Sequence, residues 1–229
     1  MTTIAVIQSN YLPWKGYFDI IAAADAFVLY DTVQYTRHDW RNRNRVKTRE
    51  GLKWLTVPVR HAPLGSAINT IEIDEHAWLD RHKALLRQSY GRTTGFEWAI
   101  ETLFGLADLP DMRLSTLNER LIRSICKALG ITTSIHRSEA LPHGGSATQK
   151  ILDICQALGA TRYLSGPAAK DYLDASLFDA AGIGLEWFDY SGYRTYEQPW
   201  GPFEHQVSIV DLLCCCGPDA PGFMKMGAR

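Results

Sequence analysis

The stretch that decides the fold is Ile4-Ala5-Val6-Ile7-Gln8-Ser9-Asn10-Tyr11-Leu12-Pro13-Trp14-Lys15-Gly16-Tyr17-Phe18-Asp19, followed by the apolar run 26–30, which ends in Asp31. In both places a short apolar run opens directly into polar side chains. An apolar strand that ends in polar groups is typical of open α/β sheets, whose ligand sites lie at the carboxyl ends of the strands. The stretch therefore predicts both a fold class and a place for the chemistry.

Short apolar runs alternate with helical patterns along most of the chain, which predicts an α/β fold with a parallel, Rossmann-like sheet. The expected strands cover 3–7, 26–30, 132–136, 162–165 and 185–190, and the expected helices cover 14–24, 150–158, 177–181 and 207–215. Ser146 and Gln149 form a capping box before the helix over 150–158. The first strand, helix and strand form a βαβ unit, whose crossover should be right-handed.

Two regions interrupt this alternation. They are an expected antiparallel ribbon of 53–59 with 69–73, and expected helices over 75–90, 96–106 and 116–129. The breaker Leu109-Pro110-Asp111 separates the last two helices. We therefore expect one α/β domain over 1–229, with a helical lobe inserted at about 75–130.

Composition narrows the class of protein. With 46% hydrophobic residues in a chain of 229, the protein can build a full core. A net charge of -1 argues against bulk nucleic-acid binding, which usually needs a strong basic excess. The sequence has no apolar run of membrane-spanning length and no signal-peptide pattern, so we expect a cytoplasmic protein without a membrane span. The five cysteines include no CxxC pair, and no metal site is expected.

The turn after the first strand is the first candidate site. Gln8, Ser9 and Asn10 supply hydrogen-bond donors and acceptors at a strand end, and Gly16 would let a ligand approach the start of the following helix. A helix start carries partial positive charge and free N–H groups, which suits phosphate or carboxylate. The alternative is a tight turn in which Trp14 is only a packing residue.

A basic segment over 37–49 is the second candidate site. It contains Arg37, Arg41, Arg43, Arg45, Lys47 and Arg49, together with Asn42 and Asn44. Planar guanidinium groups bind two phosphate oxygens at once, and the amides can bind sugar hydroxyls, so the segment is predicted to bind a diphosphate. The alternative is a solvated, charged face.

Two further candidate sites lie in the second half of the chain. Ser165 and Gly166 stand where a strand meets the next helix start. The segment from Tyr193 to Asp211, which includes Gln198, combines aromatic rings with an amide and a carboxylate that could hold a sugar. It could equally be a C-terminal arm held on the domain by its aromatic rings. His143 and His205 are loop candidates for a general base.

These residues together resemble the WbqC-like family. The matching residues are Gln8, Asn10 to Trp14, Gly16 to Phe18, Ala24-Asp25, Asp31, Val33 to Tyr35, Asn42 to Asn44, Lys47, Trp54 to Val59, Tyr163 to Gly166, Tyr172-Leu173, Tyr196, Gln198, Gly201, Phe203, Ser208, Asp211 to Leu213 and Gly217. The chain departs from the family pattern at Ser9, where proline is common, and at Ile7, where histidine is frequent. A histidine acting at that point is therefore excluded here.

The resemblance implies a role in surface-polysaccharide or O-antigen biosynthesis, with attachment of an acyl or aminoacyl group to an amino sugar. The βαβ unit is also similar to the nucleotidyltransferase-like fold, whose adenylate-forming members carry an HxGH signature. This chain has Trp14-Lys15-Gly16-Tyr17 there, so Arg43, Lys47 or Lys170 would have to supply the missing charge.

We therefore expect a transferase or amide-forming ligase acting on a nucleotide sugar. The expected catalytic residues are Asp31, Asn10 and Lys47, and the expected substrate-binding residues are Gln8, Tyr11, Trp14, Asn42, Arg43, Asn44, Ser165, Gly166, Gln198 and Asp211. The alternatives are nucleotidyl transfer to a small phosphorylated substrate and a non-catalytic, sugar-binding accessory protein. ATP with magnesium is the candidate cofactor, and magnesium is expected only if the protein uses ATP.

Overall fold

The computed structural model describes residues 1–75, 77–105, 111–145 and 147–228. In chain order its elements are β1 (Thr3–Ile7), α1 (Lys15–Ala22), β2 (Ala26–Leu29), β3 (Arg43–Thr48), β4 (Gly51–Thr56), α2 (Trp78–Tyr90), α3 (Phe96–Phe104), α4 (Leu114–Ala128), β5 (Ser134–Arg137), α5 (Ala147–Ala157), β6 (Arg162–Ser165), α6 (Ala175–Ala180), β7 (Gly184–Trp187) and α7 (Ile209–Cys216). None of the described helices combines the length and the apolar run that a membrane span requires. Ser146, Leu106 and the break at Leu109-Pro110 lie outside the described residues.

Five parallel strands form the main sheet in the order β5-β2-β1-β6-β7. The chain builds outward from β1 through β2 to β5, then returns to the other side of β1 and continues through β6 to β7. This is the strand order of a doubly wound, Rossmann-like sheet, and the order reverses between β1 and β6. The predicted α/β fold with a parallel sheet is confirmed.

Each face of the sheet is covered by its own core. Alternate residues of a strand point to opposite faces, so Ala5 and Phe27 pack with α1, α3, α4 and α7, while Ile4, Val6 and Val28 pack with α5 and α6. Burial on both faces explains why β1 and β2 are continuous apolar runs and lack an alternating pattern. The buried residues of α2 to α4 belong to the first of these cores, and whether they form a separate insertion stays a prediction.

The predicted pairing of 53–59 with 69–73 in an antiparallel ribbon is wrong, because β4 pairs with β3 instead. The basic segment contains β3, which pairs antiparallel with β4. The run 69–73 is no strand: Ile68–Thr70 is one turn of 3-10 helix, and only a single antiparallel bridge joins Val59 to Ile73. The sequence does not reveal β3 as a strand, because its inner face carries the polar residues Asn44 and Thr48 beside Val46 and so lacks the alternation of apolar and polar residues.

Gly16 makes room for a side chain of its own segment. The indole of Trp14 folds over it, and a Cβ on Gly16 would lie 2.3 Å from Cζ2 of that ring. The ring also packs on Tyr190 and Tyr193, with centroid distances of 5.0 and 5.8 Å. The expectation that Gly16 opens the helix start to a ligand is therefore replaced by a packing role.

We predict that Gly16→Ala forces the Trp14 indole off its two tyrosine neighbours. The expected loss is about 1–3 kcal/mol of unfolding free energy, the usual cost of overpacking. Urea denaturation measures it, with Gly144→Ala as the matched control, since a Cβ on Gly144 has no neighbour within 4 Å. Equal stability of the two variants would show that the indole moves without cost.

Candidate functional site

A crevice opens where the strand order reverses, at the carboxyl ends of β1 and β6. It encloses about 480 Å³ and is lined by Gln8 and Asn10 after β1, Ser165 and Gly166 at the end of β6, and Lys150 in the first turn of α5. Four tyrosines also line it: Tyr17, Tyr30, Tyr172 and Tyr190. We call this cavity the switch-point crevice, and it is where a doubly wound sheet places its ligand.

A second cavity lies on the other side of Asn10. It encloses about 590 Å³, and its wall consists of Asn10, Pro13, Trp14, Trp40, Asn44, Arg45, Tyr190, Gly192, Tyr193, His205 and Gln206. We call it the aromatic chamber. Asn10, Trp14 and Tyr190 line both cavities, so the two spaces adjoin across these side chains.

The charged residues that line the two cavities are basic. Among the described residues, the switch-point crevice has Lys150 and the aromatic chamber has Arg45, and neither wall includes an aspartate or glutamate. The chamber also contains His205, whose pKa is lowered by burial and by the charge of Lys15. The arrangement favours an anionic ligand, although the whole chain carries a net charge of -1.

The orientation of the Asn10 amide is fixed by Arg41. A guanidinium nitrogen of Arg41 donates to Oδ1 of Asn10, and Asp39 lies 3.6 Å from the same guanidinium group. Because guanidinium can only donate, Oδ1 is the atom that faces Arg41. The two N–H bonds of Nδ2 are therefore left for the cavities.

Asp31 lies behind this wall and lines neither cavity. It is 4% exposed, and its Oδ1 accepts a hydrogen bond of 2.8 Å from the backbone N–H of Ser9. Burial raises the pKa of the Asp31 carboxyl, while the backbone and hydroxyl of Ser9 and the charge of Arg41 oppose the rise. Asn118 supports the same turn from α4, since its Nδ2 donates to Ser9 Oγ at 3.2 Å and to the Arg41 carbonyl at 2.9 Å.

Tyr11 points away from the crevice into the core. It is fully buried, its hydroxyl lies 2.9 Å from Nδ1 of His82, and its ring meets Trp78 edge-on. Burial lowers the pKa of His82 to about 4, so His82 is neutral at pH 7 and its Nδ1 accepts a hydrogen bond from the Tyr11 hydroxyl. The structure thus gives Tyr11 a packing role in place of the expected substrate contact.

The other residues of the basic segment point in different directions because they alternate along a strand. Arg43 faces outward with its guanidinium 4.1 Å from the centroid of the Trp54 ring. Asn42 donates to the Val57 carbonyl at 2.8 Å, and Asn44 donates to the Leu12 carbonyl at 2.9 Å. These two amides are largely occupied by the backbone, and of the pair only Asn44 also borders the aromatic chamber.

Lys47, Gln198 and Asp211 form a buried network away from both cavities. Asp211 is 0% exposed and accepts hydrogen bonds from Tyr90, Tyr196 and Gln198 at 2.8, 2.7 and 2.7 Å. Lys47 donates to Gln198 Oε1 at 3.0 Å and to the Pro202 carbonyl at 2.7 Å. Burial raises the pKa of Asp211, and the three donors and Lys47 oppose this. The network holds the C-terminal arm, residues 188–206, on the domain.

Lys15 attaches the same arm to α1. Its ammonium lies 4.7 Å from the centroid of Tyr193 and 5.3 Å from that of Tyr196, which is a cation–π arrangement. Burial lowers the pKa of Lys15, and the carboxylates of Asp19 and Asp211 partly offset this. The arm in turn supplies Tyr190, Tyr193 and His205 to the aromatic chamber.

The structure therefore brings together Gln8, Asn10, Trp14, Asn44, Ser165 and Gly166 around the two cavities. It leaves outside both cavities Tyr11, Asp31, Asn42, Arg43, Lys47, Gln198 and Asp211. Sequence reasoning missed Lys150, although a helix start that leads into β6 faces the same sheet edge. It also missed Trp40 and Asn118. No local pattern marks these two, because their neighbours at the site are distant in sequence.

Comparisons with known proteins agree with the resemblance found in the sequence. The model of the WbqC-like protein family matches residues 8–222. An uncharacterized protein of Mycobacterium tuberculosis (strain ATCC 25618 / H37Rv) is 42% identical over 227 residues, which covers 98% of this chain and 98% of that protein. No solved structure matches the chain. The matched range contains every polar residue named above in the two cavities, and the predicted family resemblance is confirmed.

We predict that Asp211→Asn destabilises the arm and the domain together. In the variant one carboxylate oxygen becomes an NH2 group, which faces either the Tyr90 hydroxyl or the Tyr196 and Gln198 donors, and the charge near Lys47 is lost. The expected cost is about 3 kcal/mol of unfolding free energy. Tyr196→Phe is the matched control, because it removes one donor and should cost about 1 kcal/mol. Urea unfolding compares both with wild type, and an Asp211→Asn midpoint equal to wild type would contradict the role of the network.

The buried His82 predicts a pH dependence of stability. The unfolded chain takes up a proton near pH 6.5, whereas the native state does so only near pH 4, so the unfolded state binds more protons between these values. Stability should therefore fall as the pH drops from 6.5 to 4, by up to about 3 kcal/mol. His82→Gln should lack this component when unfolding free energies are measured across the range. Parallel curves for the two proteins would contradict the assignment.

Proposed function

Because the chain belongs to the WbqC-like protein family, we propose that it binds a nucleotide-activated amino sugar in the switch-point crevice and transfers an acyl or aminoacyl group to the sugar amine. One observation carries the proposal. A cavity at the reversal of strand order is lined by polar groups from two strand ends, and its charged lining residue among those described is a lysine.

The crevice suits the phosphate part of such a substrate. Lys150 lies in the first turn of α5, where the free N–H groups of a helix start add partial positive charge. Ser165 and Gln8 offer a hydroxyl and an amide from the two neighbouring strand ends. A lysine near a helix start and two neutral donors form a binding site for phosphate oxygens.

The chemistry belongs to the boundary between the two cavities. The amine attacks the carbonyl of an activated acyl donor, a thioester or an acyl-adenylate, and the C–N bond forms as the bond to the thiolate or AMP breaks. The N–H groups of Asn10 Nδ2 stabilise the carbonyl oxygen, which gains negative charge as the amine attacks. His205, with its lowered pKa, is neutral at pH 7 and accepts the proton that the amine releases. Asp31 positions Ser9 in this scheme, and Lys47 positions the arm, so neither is assigned a catalytic role.

Nucleotidyl transfer receives less support from the same residues. Two of the cations predicted to replace the missing histidine charge lie outside the crevice, since Arg43 stacks on Trp54 and Lys47 is occupied by Gln198 and Pro202. A non-catalytic sugar-binding protein is the second candidate. It is favoured by the burial of Asp31 and Lys47, two of the three residues predicted to be catalytic.

Isothermal titration with UDP-glucose, dTDP-glucose, GDP-mannose, ATP and UDP-glucosamine, whose sugar carries a free amine, tests the proposal. We expect one of the nucleotide sugars to bind, and Lys150→Ala to weaken that binding by about 1.5–3 kcal/mol, the value of a hydrogen bond to a charged group. Lys127→Ala is the control, because Lys127 is exposed in the last turn of α4.

The outcomes separate the candidates. If no nucleotide sugar gives binding heat with the wild-type protein, the proposal is excluded. If Lys150→Ala binds as strongly as wild type, the phosphate site does not lie at Lys150. Transfer of a labelled acyl group to the bound amino sugar then separates the enzyme from the binding protein.

A further inference from the structure

We infer that the aromatic chamber is the subsite for the pyranose ring of the nucleotide sugar, with the diphosphate on the other side of Asn10 in the switch-point crevice. The inference rests on the proposed function and deepens it, because it states where each half of the substrate lies. It also explains why two cavities of similar size adjoin at a single partition.

The two cavities share enough of their walls to form one binding site. Asn10, Trp14 and Tyr190 each line both cavities, so one molecule that occupies both would contact all three side chains. Volumes of about 480 and 590 Å³ each fall in the range of ordinary ligand pockets. A nucleotide sugar is an elongated molecule with two chemically different ends, and it matches two joined pockets of different character.

The chamber has the lining that a sugar ring requires. A pyranose has apolar C–H faces and a rim of hydroxyls, so it packs on aromatic rings and is oriented by polar groups at its edge. Trp14, Trp40 and Tyr193 supply rings, and Asn10, Arg45 and His205 supply polar edges. The switch-point crevice instead has Lys150 and Ser165, which suit phosphate.

The polar groups of the chamber are held before any ligand arrives. Arg45 donates through Nη2 to the Gln206 carbonyl at 3.3 Å, and its guanidinium carbon lies 5.8 Å from the centroid of the Trp40 ring. Arg41 holds Asn10, as described above. Preorganised donors lose little entropy on binding, which favours a specific ring orientation over loose apolar adsorption.

Trp40 is the most informative position for a test. It is 40% exposed at the rim of the chamber, and its neighbour Trp54 is 43% exposed but does not line the chamber. The centroids of the two indole rings lie 5.5 Å apart. Trp54 is therefore a matched control with the same chemistry and nearly the same exposure.

The experiment compares each nucleoside diphosphate with its nucleotide sugars: UDP with UDP-glucose and with UDP-glucosamine, dTDP with dTDP-glucose, and GDP with GDP-mannose. In the pair that binds, the sugar should strengthen wild-type affinity by about tenfold, since stacking of one ring on an aromatic side chain accounts for that factor. Trp40→Ala should abolish this gain and leave the diphosphate affinity within about twofold of wild type. Trp40→Phe should retain most of the gain, and Trp54→Ala should retain all of it.

The results distinguish the two proposals. If the sugar adds no affinity in wild type, or if Trp40→Ala leaves the gain intact, the pyranose subsite is excluded while the phosphate site stands. If Trp40→Ala weakens the diphosphate and the nucleotide sugar equally, the indole acts on the whole site and the inference is also excluded. If neither ligand of any pair binds wild type, the proposed function itself fails.

Discussion

The reversal of strand order between β1 and β6 is the constraint on which the rest of the structure depends. The chain leaves β1 toward one edge of the sheet and later returns to its other side, so the connections that follow these two strands diverge. No crossover covers the gap between them, and a crevice opens there. The turn after β1 must then keep its shape without a helix directly above it. One restraint is the hydrogen bond that the backbone N–H of Ser9 donates to Asp31 Oδ1. A second is the hydrogen bond that Asn118 Nδ2 donates to the Ser9 hydroxyl.

Buried charge in this protein is used to hold segments together. Asp31 and Asp211 are nearly or fully inaccessible, and each accepts the donors of a segment distant in sequence. Burying a charge is costly unless it is paired and hydrogen-bonded, and Asp211 meets this condition with three donors and the nearby Lys47. A carboxylate next to an apolar run is therefore not by itself evidence of catalysis, because the same pattern arises when a loop or an arm must be fixed.

The sequence predicts elements that have a regular apolar pattern. It does not predict β3, which lacks such a pattern, or the direction in which the Tyr11 side chain points. The β1-α1-β2 unit was predictable because buried parallel strands are continuous apolar runs. β3 was not, since a strand whose inner face carries Asn44 and Thr48 with only one aliphatic side chain, Val46, has the composition of a loop. The direction of Tyr11 could not be predicted either. The next residue, Leu12, has φ of 44° and turns the backbone, and this left-handed conformation of a leucine depends on contacts far along the chain.

Those contacts give the basic segment its physical meaning. The Leu12 carbonyl accepts hydrogen bonds from Asn44 at 2.9 Å and from the Ser208 hydroxyl at 2.7 Å, and the Tyr11 backbone N–H donates to the Trp40 carbonyl at 3.0 Å. Arg41 also donates to Asn10. The segment 40–44, which leads into β3, is therefore joined to the turn after β1 at three successive residues, Asn10, Tyr11 and Leu12. The amides and guanidinium groups concentrated there are thus explained first by the need to shape this turn. Only side chains with polar atoms that do not bond to this turn can bind a ligand, and Asn10 and Arg45 are the foremost of these.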